Sequence, residues 1–125
     1  MGNGISNDDF VTTALINQIF VLDISYWQIA DLTGIEDFTS LTYLNCSNNQ
    51  FTSLDLSQNT ALVSLQCNSN QLTNLDVSNN TALNYLWGGG NQLTSLDVSN
   101  NTALTFLYCD NNQITSLDVS SNTAY

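Results

Sequence analysis

Asp55, Asp76, Asp97 and Asp118 recur every 21 residues, each followed two positions later by a serine. Repeated carboxylates and hydroxyls form an oxygen-only donor set, the kind that calcium takes. Calcium is therefore the one candidate cofactor. The competing expectation is that salt and water screen the column while serine hydroxyls bond it. A second chemical group is Cys46, Cys67 and Cys109, at one shared repeat position flanked by apolar positions. No His accompanies them and no paired-cysteine motif is present, so zinc is not expected. Parallel side chains on adjacent coils suit a disulfide poorly, which leaves free, buried thiols.

Catalysis has little to work with. The chain carries 11 acidic residues and no Lys, Arg or His, for a net charge of −11. It therefore offers no imidazole or amine base and no guanidinium for a developing anion. Its one Glu, Glu36, adjoins Asp37 after Gly34 and reads as a solvated turn. The sequence predicts no enzyme. The same charge repels nucleic acid and anionic membranes, and no apolar run is long enough to span a bilayer.

These residues are positioned by a repeat. From Leu41 the chain copies itself every 21 residues, with coils opening at Leu41, Leu62, Leu83 and Leu104. The second coil reads LVSLQCNSNQLTNLDVSNNTA. Each coil has two halves, L-x-x-L-x-C-x-x-N and L-x-x-L-D-V-S-x-N, with Phe51 and Ile114 replacing one leading Leu each. Each half reads as a short alternating strand followed by an Asn-bearing turn. One coil cannot bury its own Leu, Val and Cys, whereas stacked coils share a continuous interior. The prediction is a mainly β solenoid with two short parallel strands per coil, one on each side. Two internal ladders follow, Asn49, Asn70, Asn91 and Asn112, and Asn59, Asn80, Asn101 and Asn122. An Asn amide can satisfy turn backbone groups that strands leave unpaired.

The ends differ from the middle. Residues 1–21 are expected to form an N-terminal helical cap. Its helix spans 7–20, capped by Ser6 or Asn7, with Val11, Leu15 and Ile19 as its apolar stripe. The solenoid proper runs over 22–125, with a divergent first repeat at 22–40 and regular coils from 41. Aligning Leu22 with Leu44 puts Trp27 where a ladder Asn belongs. The ladder should therefore begin one coil later, with Trp27 covering the core near the cap. At the other end the last coil, running to Tyr125, is expected to expose apolar side chains. That makes self-association through an uncapped end a second functional expectation.

Alternation decides which side chains face outward. In the second half of each coil the outward residues are nearly constant, as in Ser53, Asp55 and Ser57. In the first half they vary. Tyr43, Asn45 and Ser47 give way to Ser64, Gln66 and Asn68, then to Tyr85, Trp87 and Gly89, then to Phe106, Tyr108 and Asp110. The candidate ligand-binding set is Tyr43, Asn45, Gln66, Tyr85, Trp87, Phe106, Tyr108 and Asp110. Aromatics of this kind carry binding energy at interfaces and stack on sugars. They also form cross-strand pairs that only stabilise a sheet. The third coil further reads Trp87-Gly88-Gly89-Gly90, with Gly88 in the inward Cys position. That run either opens a shallow pocket between Tyr85, Trp87 and Tyr108, with Trp87 lying over the glycines, or is repeat drift with a small cavity.

The nested 21-residue pattern resembles the leucine-rich repeats of bacterial surface proteins of the internalin kind, over Leu22 to Tyr125. The resemblance implies an exported or cell-surface recognition module with a protein or glycan ligand, although residues 1–10 lack the layout of a secretory signal.

Overall fold

The computed structural model describes residues 13–124. Among these, one turn of helix, α1 (Thr13–Ile16), precedes five strands: β1 (Val21–Asp23), β2 (Tyr43–Asn45), β3 (Ser64–Gln66), β4 (Tyr85–Trp87) and β5 (Phe106–Tyr108). The strands form one parallel sheet in sequence order. The register is constant, Leu22 beside Leu44, Leu44 beside Leu65, Leu65 beside Leu86 and Leu86 beside Leu107. The alignment of Leu22 with Leu44 is thus borne out, as is the solenoid.

The interior is the sum of the repeat's apolar positions. Leu41, Leu62 and Leu83 are fully buried, as are Leu44, Leu65 and Leu86, and Phe51, Leu72 and Leu93. Each such side chain is worth about 1.5–3 kcal/mol when withdrawn from water. Neighbouring coils supply the withdrawal, so the core is one continuous cluster along the solenoid.

Polar columns close the turns. Asn70 Nδ2 donates to the Cys46 and Cys67 carbonyls at 3.0 and 3.1 Å, and its Oδ1 accepts from Phe51 N–H at 3.1 Å. Asn91 repeats this with Cys67, Gly88 and Leu72. On the other side Asn80 Nδ2 donates to Leu56 and Asn59 carbonyls at 3.1 and 2.9 Å. Both ladders lie where the sequence places them. Immediately before each first-ladder Asn the backbone turns left-handed, at Asn48, Ser69, Gly90 and Asn111.

The second strand of each coil is a correction. Among the described residues the second halves contain no strand, and one sheet stands where two were expected. Each second half keeps one backbone bond to the preceding coil, Gln71 N–H to Phe51 and Gln92 N–H to Leu72 in the middle coils. The physical reason lies in the aspartates. Ser57 and Ser78 N–H donate to Asp55 and Asp76 Oδ1 two residues back, at 3.1 and 2.9 Å. A local turn has taken amides that a second ladder would need.

The amino-terminal expectations also change. The helical stretch ends at Ile16 rather than at residue 20. Leu15, placed on the buried stripe, is 59% exposed, and Ile16 is buried in its stead. Ser6, Asn7 and Val11 lie outside the described residues, as does Tyr125. Trp27 does not cover the core; its side chain is 65% exposed. Its backbone serves the turn instead, since Trp27 and Ile29 N–H both donate to Asn49 Oδ1 at 3.1 Å. The first ladder accordingly begins at Asn49, as expected. No described helix is long and apolar enough to cross a membrane.

Candidate recognition face

The sheet displays two columns of outward side chains. Val21, Tyr43, Ser64, Tyr85 and Phe106 form one; Asp23, Asn45, Gln66, Trp87 and Tyr108 form the other. Each central Leu points inward between them, so strand pleating alone separates face from core.

The two ends of this face differ chemically. In the early coils the polar groups are bonded to one another. Asn45 Nδ2 donates to Asp23 Oδ2 at 3.2 Å, and Asn45 Oδ1 accepts from the Ser47 hydroxyl at 2.7 Å. Gln66 Nε2 donates to the Tyr43 hydroxyl at 3.1 Å. Ser47, expected to face outward, is buried. The predicted site residues Tyr43, Asn45 and Gln66 therefore form a bonded polar stretch, and Ser64 separates Tyr43 from the aromatics beyond.

In the last two coils the aromatics come together. Tyr85 lies 6.0 Å from Phe106 and 5.9 Å from Tyr108 between ring centroids, and Trp87 lies 6.0 Å from Tyr108. All three pairs are tilted, a favourable ring geometry. Packing does not hide them: Trp87 is 38% exposed, Phe106 53% and Tyr108 47%. Partial burial, and then the Tyr108 and Tyr43 phenols, push the Tyr85 phenol above its ordinary pKa.

The glycine run beside them has three distinct jobs. A Cβ on Gly88 would lie 3.8 Å from Leu75 Cδ2 and 3.9 Å from Cys67 Sγ, so the core has room there. Gly90 adopts φ +65°, where a side chain is strained. Gly89 is crossed closely, but not by Trp87 as expected. Asp110 lies over it, and a Cβ there would fall 2.7 Å from Asp110 Oδ1. Asp110 Oδ2 accepts from Asn111 Nδ2 at 2.6 Å.

The aspartate column lies along the second halves. The Ser57 and Ser78 hydroxyls donate to Asp55 and Asp76 Oδ1 at 2.6 Å. Asp97 and Asp118 accept from Ser99 and Ser120 N–H at 2.9 Å. Serine hydroxyls, then serine amides, hold all four carboxylates below the ordinary range, and repulsion from neighbouring carboxylates is a smaller opposing effect where it is felt. Among the described residues no three His, Cys, Asp or Glu side chains group closely enough to hold a metal ion. A shallow groove of about 430 Å³ at the start of this side is lined by Asp31, Glu36 and Asp55. Sequence reasoning missed it because Asp31 and Glu36 lie in the divergent repeat. It also missed Tyr26, an exposed aromatic beside Trp27.

The thiols are free. Burial pushes Cys46 up to about 12 and Cys67 well above its ordinary value; Cys109, half-buried rather than buried as expected, is also raised, by burial and then by the Asp110 carboxylate. These are packing groups rather than nucleophiles. Their column runs Cys46, Cys67, Gly88, Cys109, interrupted in the third coil.

No family model matches the chain. Over 52 residues, 42% of its length, it is 50% identical to Internalin J of Listeria monocytogenes serotype 4b (strain F2365), and it covers 6% of that protein. The functional domain of InlJ from Listeria monocytogenes, which includes a cysteine ladder, superposes with a TM-score of 0.91 at 49% identity, over 93% of this chain and 26% of that one. An internalin (inlF) from Listeria monocytogenes str. 4b F2365 gives 0.83 at 28% identity, covering 93% and 36% of the two chains. A leucine-rich-repeat protein of Leptospira interrogans, LIC12759, shares the fold at 23% identity with a TM-score of 0.83, over 92% and 32%. The chain thus spans about a third or less of each relative. The resemblance seen in the repeat stands: this is an internalin-like leucine-rich-repeat solenoid of 21-residue coils.

Proposed function

We propose that this chain is a non-catalytic recognition module, acting outside the cell or at its surface, that binds a protein or glycan through the face built on β2 to β5. One observation carries the reading. Tyr85, Trp87, Phe106 and Tyr108 gather on adjacent strands of a scaffold whose inward Leu and Asn positions repeat almost unchanged, and three of them stay about two-fifths to one-half exposed. Folding a solenoid needs no such cluster, and exposed aromatic patches favour interaction surfaces. The extracellular setting is supported by the internalin relatives. The test is a screen of the labelled chain against a glycan array and a panel of purified secreted proteins, beside a Y85S/W87S/Y108S variant. Hits should vanish in the variant while the fold persists by circular dichroism. Hits retained by the variant overturn the reading, and hence the face.

A further inference from the structure

We infer that the aromatic patch of the last two coils is built for a cationic side chain, and that its partner is a basic polypeptide segment presenting Arg or Lys. This rests on the recognition reading above and narrows it to one ligand chemistry.

Three departures from the repeat converge at one place. Trp87 and Tyr108 supply ring faces where the earlier coils carry Asn45 and Gln66. Gly89 removes the side chain that Ser47 and Asn68 supply at the same position, which lets the Asp110 carboxylate lie across it. Asp110 itself has no serine two residues on. Position 112 is a ladder Asn, spent on the Gly88 and Cys109 carbonyls. Unlike Asp23, Asp55 and Asp76, Asp110 has no hydroxyl cap two residues on. Gly89 follows Trp87 by two residues just past the end of β4, as Asp110 follows Tyr108 just past β5, and Asp110, like Trp87 and Tyr108, is exposed. A guanidinium or ammonium between them would meet a carboxylate on one side and ring faces on the other, the geometry of cation–π recognition.

The rest of the molecule supports the same sign of partner. A net charge of −11 with no Lys, Arg or His steers cations toward every face. A second copy of this chain brings no basic side chain, so it does not fit the patch. A neutral sugar would use the rings but gains nothing from Asp110 or from the charge.

The experiment uses the whole chain in about 150 mM salt, where diffuse attraction is screened within roughly 8 Å. The probes are acetyl-(Gly-Arg)4-amide, its neutral citrulline counterpart acetyl-(Gly-Cit)4-amide, and cellohexaose. Readouts are the Trp87 indole N–H resonance and affinity by calorimetry. The arginine peptide should shift Trp87 and bind at least about tenfold more tightly than the citrulline peptide. D110N and Y108S should each weaken it by about three- to fivefold. D97N, an equal charge removed from the serine-capped column, should change it by less than about twofold. The inference is overturned if D97N weakens binding as much as D110N, since attraction is then diffuse. It is overturned equally if the citrulline peptide matches the arginine peptide, or if the arginine peptide leaves Trp87 unmoved. Cellohexaose moving Trp87 when the arginine peptide does not would remove the cationic partner while leaving the aromatic recognition face standing.

Discussion

Asn70 reaches back one coil to accept the Phe51 N–H at 3.1 Å, and the same amide group donates within its own coil to the Cys67 carbonyl. One side chain thereby satisfies backbone groups of two coils at once. The second ladder is built differently. Asn80 donates through Nδ2 to two carbonyls, while its buried Oδ1 has no hydrogen-bond partner among the described residues.

The two ladders should therefore differ in worth. Asn70→Ala leaves the buried Phe51 N–H without a partner and takes one of two bonds from each of the Cys46 and Cys67 carbonyls, which Asn49 and Asn91 still serve; a buried unpaired group costs about 1–3 kcal/mol. A loss of about 3 kcal/mol, or roughly 10 °C in melting temperature, is expected. Asn80→Ala strands no backbone group, since the Leu56 and Asn59 carbonyls still accept from the Asn59 and Leu62 N–H, and it removes an unpartnered oxygen, so it should cost less. Thermal melts of the two variants check the order; equal losses would refute the distinction.

The glycine run should split by position. Gly88→Ala adds a methyl at ordinary contact distance from Leu75 and Cys67, and it restricts the unfolded chain. It should raise stability by roughly 0.5–1 kcal/mol. Gly89→Ala drives a Cβ into Asp110, and Gly90→Ala meets φ +65°, so both should lower it. Denaturant midpoints of the three variants test this. A destabilising Gly88→Ala would show that the core there is already filled.

Acid should weaken the fold. The serine bonds hold Asp55, Asp76, Asp97 and Asp118 below their ordinary range. A carboxylate depressed in the fold contributes stability that is fully present above its unfolded pKa, about 3.9. That contribution is lost as pH falls through the lower folded value. Protonation also relieves repulsion, but Coulomb effects rank below the serine bonds wherever they appear. Melting temperature should thus fall between about pH 5 and pH 2. A rise over that window would mean that repulsion dominates. By the same argument Asp76→Ala should destabilise, not relieve, the column.

How far the sequence reached follows from which rule governed each residue. The 21-residue period and the inward Leu, Cys and Asn positions were legible because burial repeats with the pattern. The outward placement of Tyr85, Trp87, Phe106 and Tyr108 followed from pleating. The second sheet was not legible, because the alternation of Leu75 and Val77 marks burial and says nothing of where Ser78 N–H bonds. Leu15 was placed on the wrong face because a period of four presumes a helix that continues past Ile16. Trp27 was read as core cover on side-chain type, whereas only its N–H enters the ladder. Asp110 was placed on the face, but its approach to Gly89 depends on neighbouring coils and has no sequence signal beyond the coincidence of the two departures.

The last coil supplies the remaining prediction. In this 125-residue chain it packs against a neighbour on one side. Val119 is 50% exposed, whereas its counterparts Val77 and Val98 are fully buried. Leu107, Ile114 and Leu117 are likewise only partly covered, although Leu86, Leu93 and Leu96 are buried. Full burial of such side chains is worth about 1.5–3 kcal/mol each, so this coil forgoes several kcal/mol that the second coil has. Local opening should therefore be easier there. In a dilute monomer, amides of residues 104–122 should exchange faster than those of 62–80. Placing a copy of residues 62–82 in register after Ala124 should slow exchange in 104–122 and raise the melting temperature. Equal protection of the two segments before that addition, in a sample shown to be monomeric, would mean that the fourth coil is self-sufficient.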